Sequence, residues 1–204
     1  MAQKRIIISF DVEATGPSPA TSSCVMLGCV AVYDNIDPDP TKLDDWVISS
    51  KAWCIQEQPN RPPEKRCWND FWLENKELWK HIQQNAIPPQ QAMKEFEEWY
   101  RELNKKFIIK FVAKPSSYDL QWLNCLYDEY GPEKKLKLPF SIICLSTIYK
   151  MLEMFNVDMN LISKLTHSDA LPHTHYADAD ALGQAYAYLK VTDWMKKNLK
   201  QITN

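Results

Sequence analysis

The sequence predicts an α/β protein: a mixed five-stranded sheet, with an antiparallel three-strand meander at its front and helices packed against it. Three observations predict this. Five short runs rich in β-branched or aromatic residues are spaced along the chain, at 5–10, 23–34, 46–55, 107–113 and 140–145. The first three are separated by loops alone, as consecutive antiparallel strands are. From Trp68 onward the apolar period becomes helical and strands alternate with helices, the order that lays helices on a sheet.

The elements follow in order. "RIIISF" (5–10) is apolar without alternation, so it reads as a strand buried on both faces. "SCVMLGCVAVYD" (23–34) and "WVISSKAWCI" (46–55) continue the meander, with the Asp-Pro-Asp-Pro stretch at 37–40 as a loop. "QEQPNRPPEKR" (56–66) is proline-rich and polar and reads as an exposed connection. One helix is expected over 68–84. A second starts after Pro88-Pro89 and carries Met93, Phe96, Trp99, Tyr100 and Leu103 on one side. "FIIKFVA" (107–113) is the fourth strand. "DLQWLNCLYDEY" (119–130) is a helix stopped by Gly131-Pro132. "FSIICL" (140–145) is a strand leading into a helix through about Phe155, and "YADADALGQAYAYLKVTDWMKKNL" (176–199) is a long closing helix.

The bulk properties narrow the function. A chain of 204 residues reads as one domain over 1–204, with its core at about 5–190. A hydrophobic fraction of 45% and a charged fraction of 25% are those of an ordinary globular protein. A net charge of −2 supplies no general basic field, so any polyanion must be held locally or through metal ions. The six cysteines form no CxxC pair, and the apolar run in "MAQKRIII" is too short for a signal peptide. The expectation is reduced thiols in an intracellular protein, cytoplasmic or in the nucleoid or nucleus, and not secreted. No apolar stretch approaches the roughly 18 residues of a membrane span.

Acids gather where the pattern suggests a site. Asp11 and Glu13 end the first strand two residues apart, so they point to one face. Asp119 follows the fourth strand at the start of a helix. "HTHYADADALGQA" opens the last helix with His175, Asp178 and Asp180. His175 and Asp180 lie five apart across the helix entrance, so the histidine can sit on the loop above the aspartate. Asp178 lies about 200° from Asp180 around the helix and cannot share its site. Asp11, Glu13, Asp119 and Asp180 converging would repel one another. Two divalent cations about 4 Å apart would neutralise them and carry out phosphodiester hydrolysis, with a histidine taking the proton of the water. Each part alone has a plainer reading: a solvated strand end for Asp11 and Glu13, a helix N-cap for Asp119, a surface or capping residue for His175.

At these residues the chain resembles the DEDDh 3′–5′ exonucleases, the group containing the epsilon proofreading subunit of DNA polymerase III, oligoribonuclease and RNase T. "FDVEATG" is similar to the first motif of that family, "YDLQWL" to the second and "HYADADA" to the third, which is the most specific. The resemblance spans about residues 5 to 190. It implies an RNase H-like fold and hydrolysis from the 3′ end of single-stranded DNA or RNA, releasing nucleoside 5′-monophosphates with two Mg²⁺ or Mn²⁺ ions. By position it implies that Asp11 bridges both metals, that Glu13 and Asp180 complete the site of the metal that activates the nucleophile, and that Asp119 holds the second metal. His175 would be the general base, and the backbone of Ala14, Thr15 and Gly16 would lie against the 3′-terminal nucleotide. Self-association into a homodimer is left open, as is the choice between DNA and RNA.

The chain departs from the family pattern at two places. Ala14 stands where threonine is common, and Pro115 where many members have Asn, four before Asp119. Neither touches a ligand the resemblance implies. Trp68 and Trp72 could stack bases, but their i, i+4 spacing also fits a core. Leu27 and Met26 fall where relatives place an apolar wedge, with core strand residues as the plain alternative. The lysine groups at 104–106, 134–137 and 196–200 read as solvated faces. His167 and His173 receive no role, and "HTH" without nearby cysteines argues against zinc. The alternative function is a catalytically idle nucleic-acid-binding or scaffold module on the same fold, which would have no chemical need for the four acids and His175.

Overall fold

The β-branched run of the first strand lies at the middle of the sheet, and everything that builds the site is placed relative to it. In the computed structural model, which describes residues 4–133, 136–139 and 141–198, β1 (Lys4–Ala14) pairs antiparallel with β2 (Cys24–Tyr33). β2 pairs antiparallel with β3 (Val47–Cys54). On its other side β1 runs parallel to β4 (Phe107–Ala113), which pairs parallel with β5 (Ile143–Cys144). The sheet order is β3-β2-β1-β4-β5, an antiparallel meander joined to a parallel half, as expected.

Helices cover both faces of β1, and the period of two sorts its residues between them. Ile6, Ile8, Phe10, Val12 and Ala14 face α3 (Pro89–Asn104) and α4 (Ser116–Tyr130), packing with Phe96, Tyr100, Trp122 and Leu123. Ile7 faces the other way, into a second core with Ala181, Ala185 and Leu189 of α7 (Ala177–Asn198). Asp11 and Glu13 share the parity of Ile7, so they face α7. That helix lies tight on the sheet because β2 carries a glycine beneath it. A Cβ on Gly28 would come within 2.1 Å of the Ala177 carbonyl carbon and of the Asp178 amide. Gly28 is the strand partner of Asp11, so the start of α7 lands over the acids.

Several expectations need correction. The helix expected over 68–84 is broken: a short turn α1 (Lys65–Cys67) runs into a π-helical turn over Trp68–Trp72, and α2 (Lys76–Asn85) starts afresh. The 56–66 connection is exposed over most of its length, as expected, with one buried anchor. Gln58 is 2% exposed, and its side-chain amide accepts from the Cys24 N–H at 2.8 Å and donates to the Cys24 carbonyl at 2.9 Å, imitating a strand neighbour at the start of β2. α4 begins three residues before Asp119, with Pro115 as its N-cap, so Asp119 is a first-turn residue and not the cap. Gly131 ends α4 at φ −68°, without the left-handed turn that usually asks for glycine there. The strand expected over 140–145 is described only as Ile143–Cys144, and Phe140 lies outside the described residues. Between α5 (Leu145–Met154) and α7 stands α6 (Met159–Thr166), an element the sequence reading did not include.

Other expectations hold. Met93, Phe96, Tyr100 and Leu103 are buried on one face of α3, with Trp99 partly buried beside them. Trp72, Leu27 and Met26 are core residues. Lys105 pairs with Glu102 and Lys197 with Asp193, as on a solvated face, whereas Lys134, Lys135 and Lys200 lie outside the described residues. The six cysteines are free thiols. Among the described residues no helix is long and apolar enough to cross a membrane.

Candidate metal and catalytic site

The carboxyl ends of β1 and β4 lie side by side because the two strands are parallel, and a ligand crevice forms naturally there. Asp11 and Glu13 come from β1, Asp119 from the first turn of α4 just after β4, and Asp180 from the first turn of α7. The structure brings Asp11, Glu13 and Asp180 together: a carboxylate oxygen from each lies within 4.8 Å of the others. Asp119 stands outside that set but still acts on the charges of both Asp11 and Glu13.

The electrostatics are those of a cluster that lacks positive charge. Burial pushes the Asp11 carboxyl well above its usual range, and the charges of Asp119 and Asp180 push it further. Glu13 is pushed up to about 9, first by burial and then by Asp11, Asp180 and Asp119. Asp119 is 2% exposed and rises to about 7 through burial, although backbone amides at Val12 and Lys114 hold it down in part. Its Oδ2 is buried without a hydrogen-bond partner. A buried carboxylate oxygen left without a donor is costly, and a divalent cation is a chemically apt partner for it. The donor set is all carboxylate oxygen, which suits Mg²⁺ or Mn²⁺. The residues fit the cations that the motif resemblance implies.

Asp180 has a second task. Its Oδ1 accepts the Thr174 N–H at 2.8 Å and its Oδ2 accepts the His175 N–H at 2.9 Å. These bonds hold the loop before α7 in a tight turn, with His175 at φ 62°, a left-handed conformation that non-glycine residues adopt only when their surroundings enforce it. The turn aims the imidazole at the acids, with His175 Nδ1 3.9 Å from Glu13 Oε1. The Phe71 ring stands edge-on to it, centroids 4.9 Å apart. Burial lowers the His175 pKa below its ordinary 6.5, the neighbouring His173 lowers it further, and Asp180 opposes both. A neutral imidazole beside a carboxylate cluster is ready to accept a proton.

The three residues expected to carry the 3′-terminal nucleotide are largely engaged within the protein. The Ala14 carbonyl accepts from Trp72 Nε1 at 3.3 Å. The Thr15 N–H donates to the Ser23 carbonyl, the Thr15 carbonyl accepts from the Glu64 N–H, and its side chain is buried. Gly16 permits a close approach, but to protein: a Cβ there would lie 2.2 Å from Ser22 Oγ. Asp178 is kept away from the cluster, as the helix geometry requires, and sits over Gly28.

Two contributors, and one residue beside the cluster, were not assigned from the sequence. Gln184, one turn beyond Asp180 on α7, donates from Nε2 to Asp11 Oδ1 at 2.7 Å. Its i+4 offset from Asp180 was the available signal. Gly28, by letting α7 descend, has only its place opposite Asp11 to mark it. His173, given no role, lies against the cluster, with Nδ1 2.8 Å from Asp180 Oδ2. A cleft of about 630 Å³ opens beside Asp11 and Asp180 and runs between α6 and α7, lined among others by Lys114, Tyr149, Thr166, His173 and Gln184.

The mixed sheet in the order β3-β2-β1-β4-β5, with its flanking helices, finds counterparts among solved structures. The nuclease domain of 3′hExo, a DEDDh family member bound to rAMP, aligns over 93% of this chain and 92% of its own, with a TM-score of 0.61 at 15% identity. The chain has the fold of a DEDDh nuclease domain. A 3′-exonuclease solved in a study of 3′-end-specific recognition of the histone mRNA stem-loop aligns over 95% of this chain and 84% of its own, with a TM-score of 0.60 at 14% identity. A full-length 3′-exonuclease gives 0.59 at 14% identity over 94% and 83% of the two chains. No family profile matches the chain, and no curated protein does.

Proposed function

We propose that this chain is a cation-dependent exonuclease that hydrolyses phosphodiester bonds from the 3′ end of single-stranded nucleic acid and releases nucleoside 5′-monophosphates. The observation that carries the reading is the cluster of Asp11, Glu13 and Asp180 with oxygens within 4.8 Å, under the charge of buried Asp119 with its unpartnered Oδ2, and with no lysine or arginine paired to it among the described residues. A structural cluster has no reason to stay uncompensated, whereas a cation site does. Asp11, Glu13 and Asp180 would hold one divalent cation, and Asp11 and Asp119 the other. Bound cations supply activation of the attacking water and stabilisation of the leaving oxygen.

The chain's own residues do the rest. Gln184 holds Asp11 through its side-chain amide, so the carboxylate that would serve both cations is oriented before any ligand arrives. His175, held neutral and aimed at Glu13, takes the proton from the attacking water. Asp180 holds that histidine in place through its backbone amide. The cleft between α6 and α7 would seat the strand next to the scissile bond, with Lys114 near its phosphates. The neighbours solved with rAMP and in the stem-loop study favour RNA as the first substrate to try.

The test uses matched 5′-labelled and 3′-labelled RNA and DNA oligonucleotides with Mg²⁺ or Mn²⁺. The 5′-labelled strand should shorten as a descending ladder, while the 3′ label leaves at once as mononucleotide and EDTA stops both. Immediate release of the 5′ label as mononucleotide, or full activity in EDTA, would overturn the proposal.

A further inference from the structure

We propose that His173, His175 and Asp180 form a second cation site, one that takes a borderline-soft ion such as Zn²⁺ and thereby withdraws Asp180 and His175 from the exonuclease site. The binding stands on geometry alone. Its inhibitory consequence rests on the function proposed above.

The "HTH" run reads as a poor zinc site in the sequence because no cysteine is near it. The third ligand comes instead from the helix: one donor atom each from His173, His175 and Asp180 lies within 4.8 Å of the others. The two rings meet edge to face, centroids 4.3 Å apart, in a loop where His175 takes a left-handed φ. Tetrahedral Zn²⁺ with bonds of about 2.0–2.2 Å places its ligand atoms roughly 3.4 Å from one another. His173 Nδ1 and Asp180 Oδ2 are 2.8 Å apart, a little closer than that. The His173 side chain is 69% exposed and can swing outward to admit an ion without moving the helix. The Asp180 carboxylate is already oriented by the Thr174 and His175 amides, as the ligands of real metal sites are by their neighbours. Two imidazoles and one carboxylate leave a fourth position for water.

The two sites differ in chemistry. Imidazole nitrogen suits Zn²⁺, Ni²⁺ and Cu²⁺, whereas Mg²⁺ asks for octahedral oxygen and gains little from it. They share Asp180, which belongs to both donor sets, so filling one opposes filling the other. An ion on His175 also occupies the lone pair that the hydrolysis needs.

The experiment titrates the full chain with Zn²⁺ alone, by calorimetry, for the wild type and for His173→Asn, and repeats the titration with Mn²⁺. The variant should bind Zn²⁺ about tenfold or more weakly, the loss expected when a ligand is removed, and should bind Mn²⁺ unchanged. In Mg²⁺-supported hydrolysis, Zn²⁺ should inhibit the wild type over the concentration range in which it binds, and His173→Asn should need about tenfold more or beyond. Equal Zn²⁺ affinity in the two proteins overturns the site. If neither protein hydrolyses any oligonucleotide, the inhibitory consequence falls with the function it rests on, and the calorimetric difference still decides the site.

Discussion

Two buried acidic regions of this protein are built in opposite ways. Glu97, on α3, is 5% exposed, and each of its oxygens has a partner: Oε1 accepts from Arg101 Nε at 2.7 Å and from Arg101 Nη2 at 2.6 Å, and Oε2 accepts from the Tyr127 hydroxyl. That hydroxyl accepts in turn from the Leu136 N–H at 2.9 Å. At the carboxyl end of β1, Asp11, Glu13, Asp119 and Asp180 crowd together: two backbone amides and His173 meet Asp180 and the Gln184 amide meets Asp11, but among the described residues no lysine or arginine pairs with the four, and Asp119 Oδ2 has no partner. The chain can neutralise a buried carboxylate where a structure needs one. Where it leaves acids uncompensated, the missing charge has to come from outside, which is why the second region reads as a site and the first as scaffold.

The contrast can be broken in several ways, and the largest effect lies at the base. His175→Ala should lower single-turnover hydrolysis by roughly 10²–10⁴-fold while leaving Mn²⁺ affinity intact, because the imidazole is outside the proposed carboxylate ligand set and its Nδ1 lies 3.9 Å from Glu13 Oε1. A matching loss of Mn²⁺ binding would make His175 a ligand. Next in size, Gln184→Ala should weaken Mn²⁺ binding by about 10–100-fold, since it frees Asp11 from its orienting bond. Unchanged affinity would reduce Gln184 to packing.

The stability effects are smaller and have opposite signs in the two regions. Glu97→Gln should cost about 1.5–3 kcal/mol, toward the low end because the Arg101 side chain is 43% exposed. Asp119→Asn should stabilise the cation-free protein at pH 8 by about 1 kcal/mol, or roughly 2–4 °C in thermal midpoint. Destabilisation by both would erase the distinction. The pH dependence is the gentlest probe. Glu13 moves from 4.5 when unfolded to about 9 when folded, so in that window the folded, cation-free protein binds more protons than the unfolded chain. The contribution of Glu13 to stability is therefore full below pH 4.5 and is lost as the pH rises toward 9. Glu13→Gln and saturating Mn²⁺ should each flatten the slope of thermal midpoint against pH.

The sequence made the acids legible because their signals are local. A period of two puts Asp11 and Glu13 on one face, and a helix entrance puts His175 near Asp180. The five strands are legible for the same reason. Gln184 and Gly28 are not, since each acts where α7 lies on the sheet, and the Gln184–Asp11 contact joins residues 173 apart. The π-helical turn at Trp68–Trp72 escaped because its apolar residues keep a helical rhythm while the hydrogen bonding changes. His173 was passed over because a surface histidine two residues from the motif gains meaning only once Asp180 is folded back against it.

The central claim is that the uncompensated acids are a cation site, and calorimetric titration with Mn²⁺ tests it without any assumed substrate. The wild type should bind Mn²⁺ saturably at pH 7 and release protons, because burial and mutual repulsion keep Glu13 protonated until a cation arrives. Asp11→Asn, which removes the carboxylate that the other acids surround, should bind at least about 10–100-fold more weakly. A wild type that binds no Mn²⁺, or an Asp11→Asn variant that binds it equally well, would contradict the account.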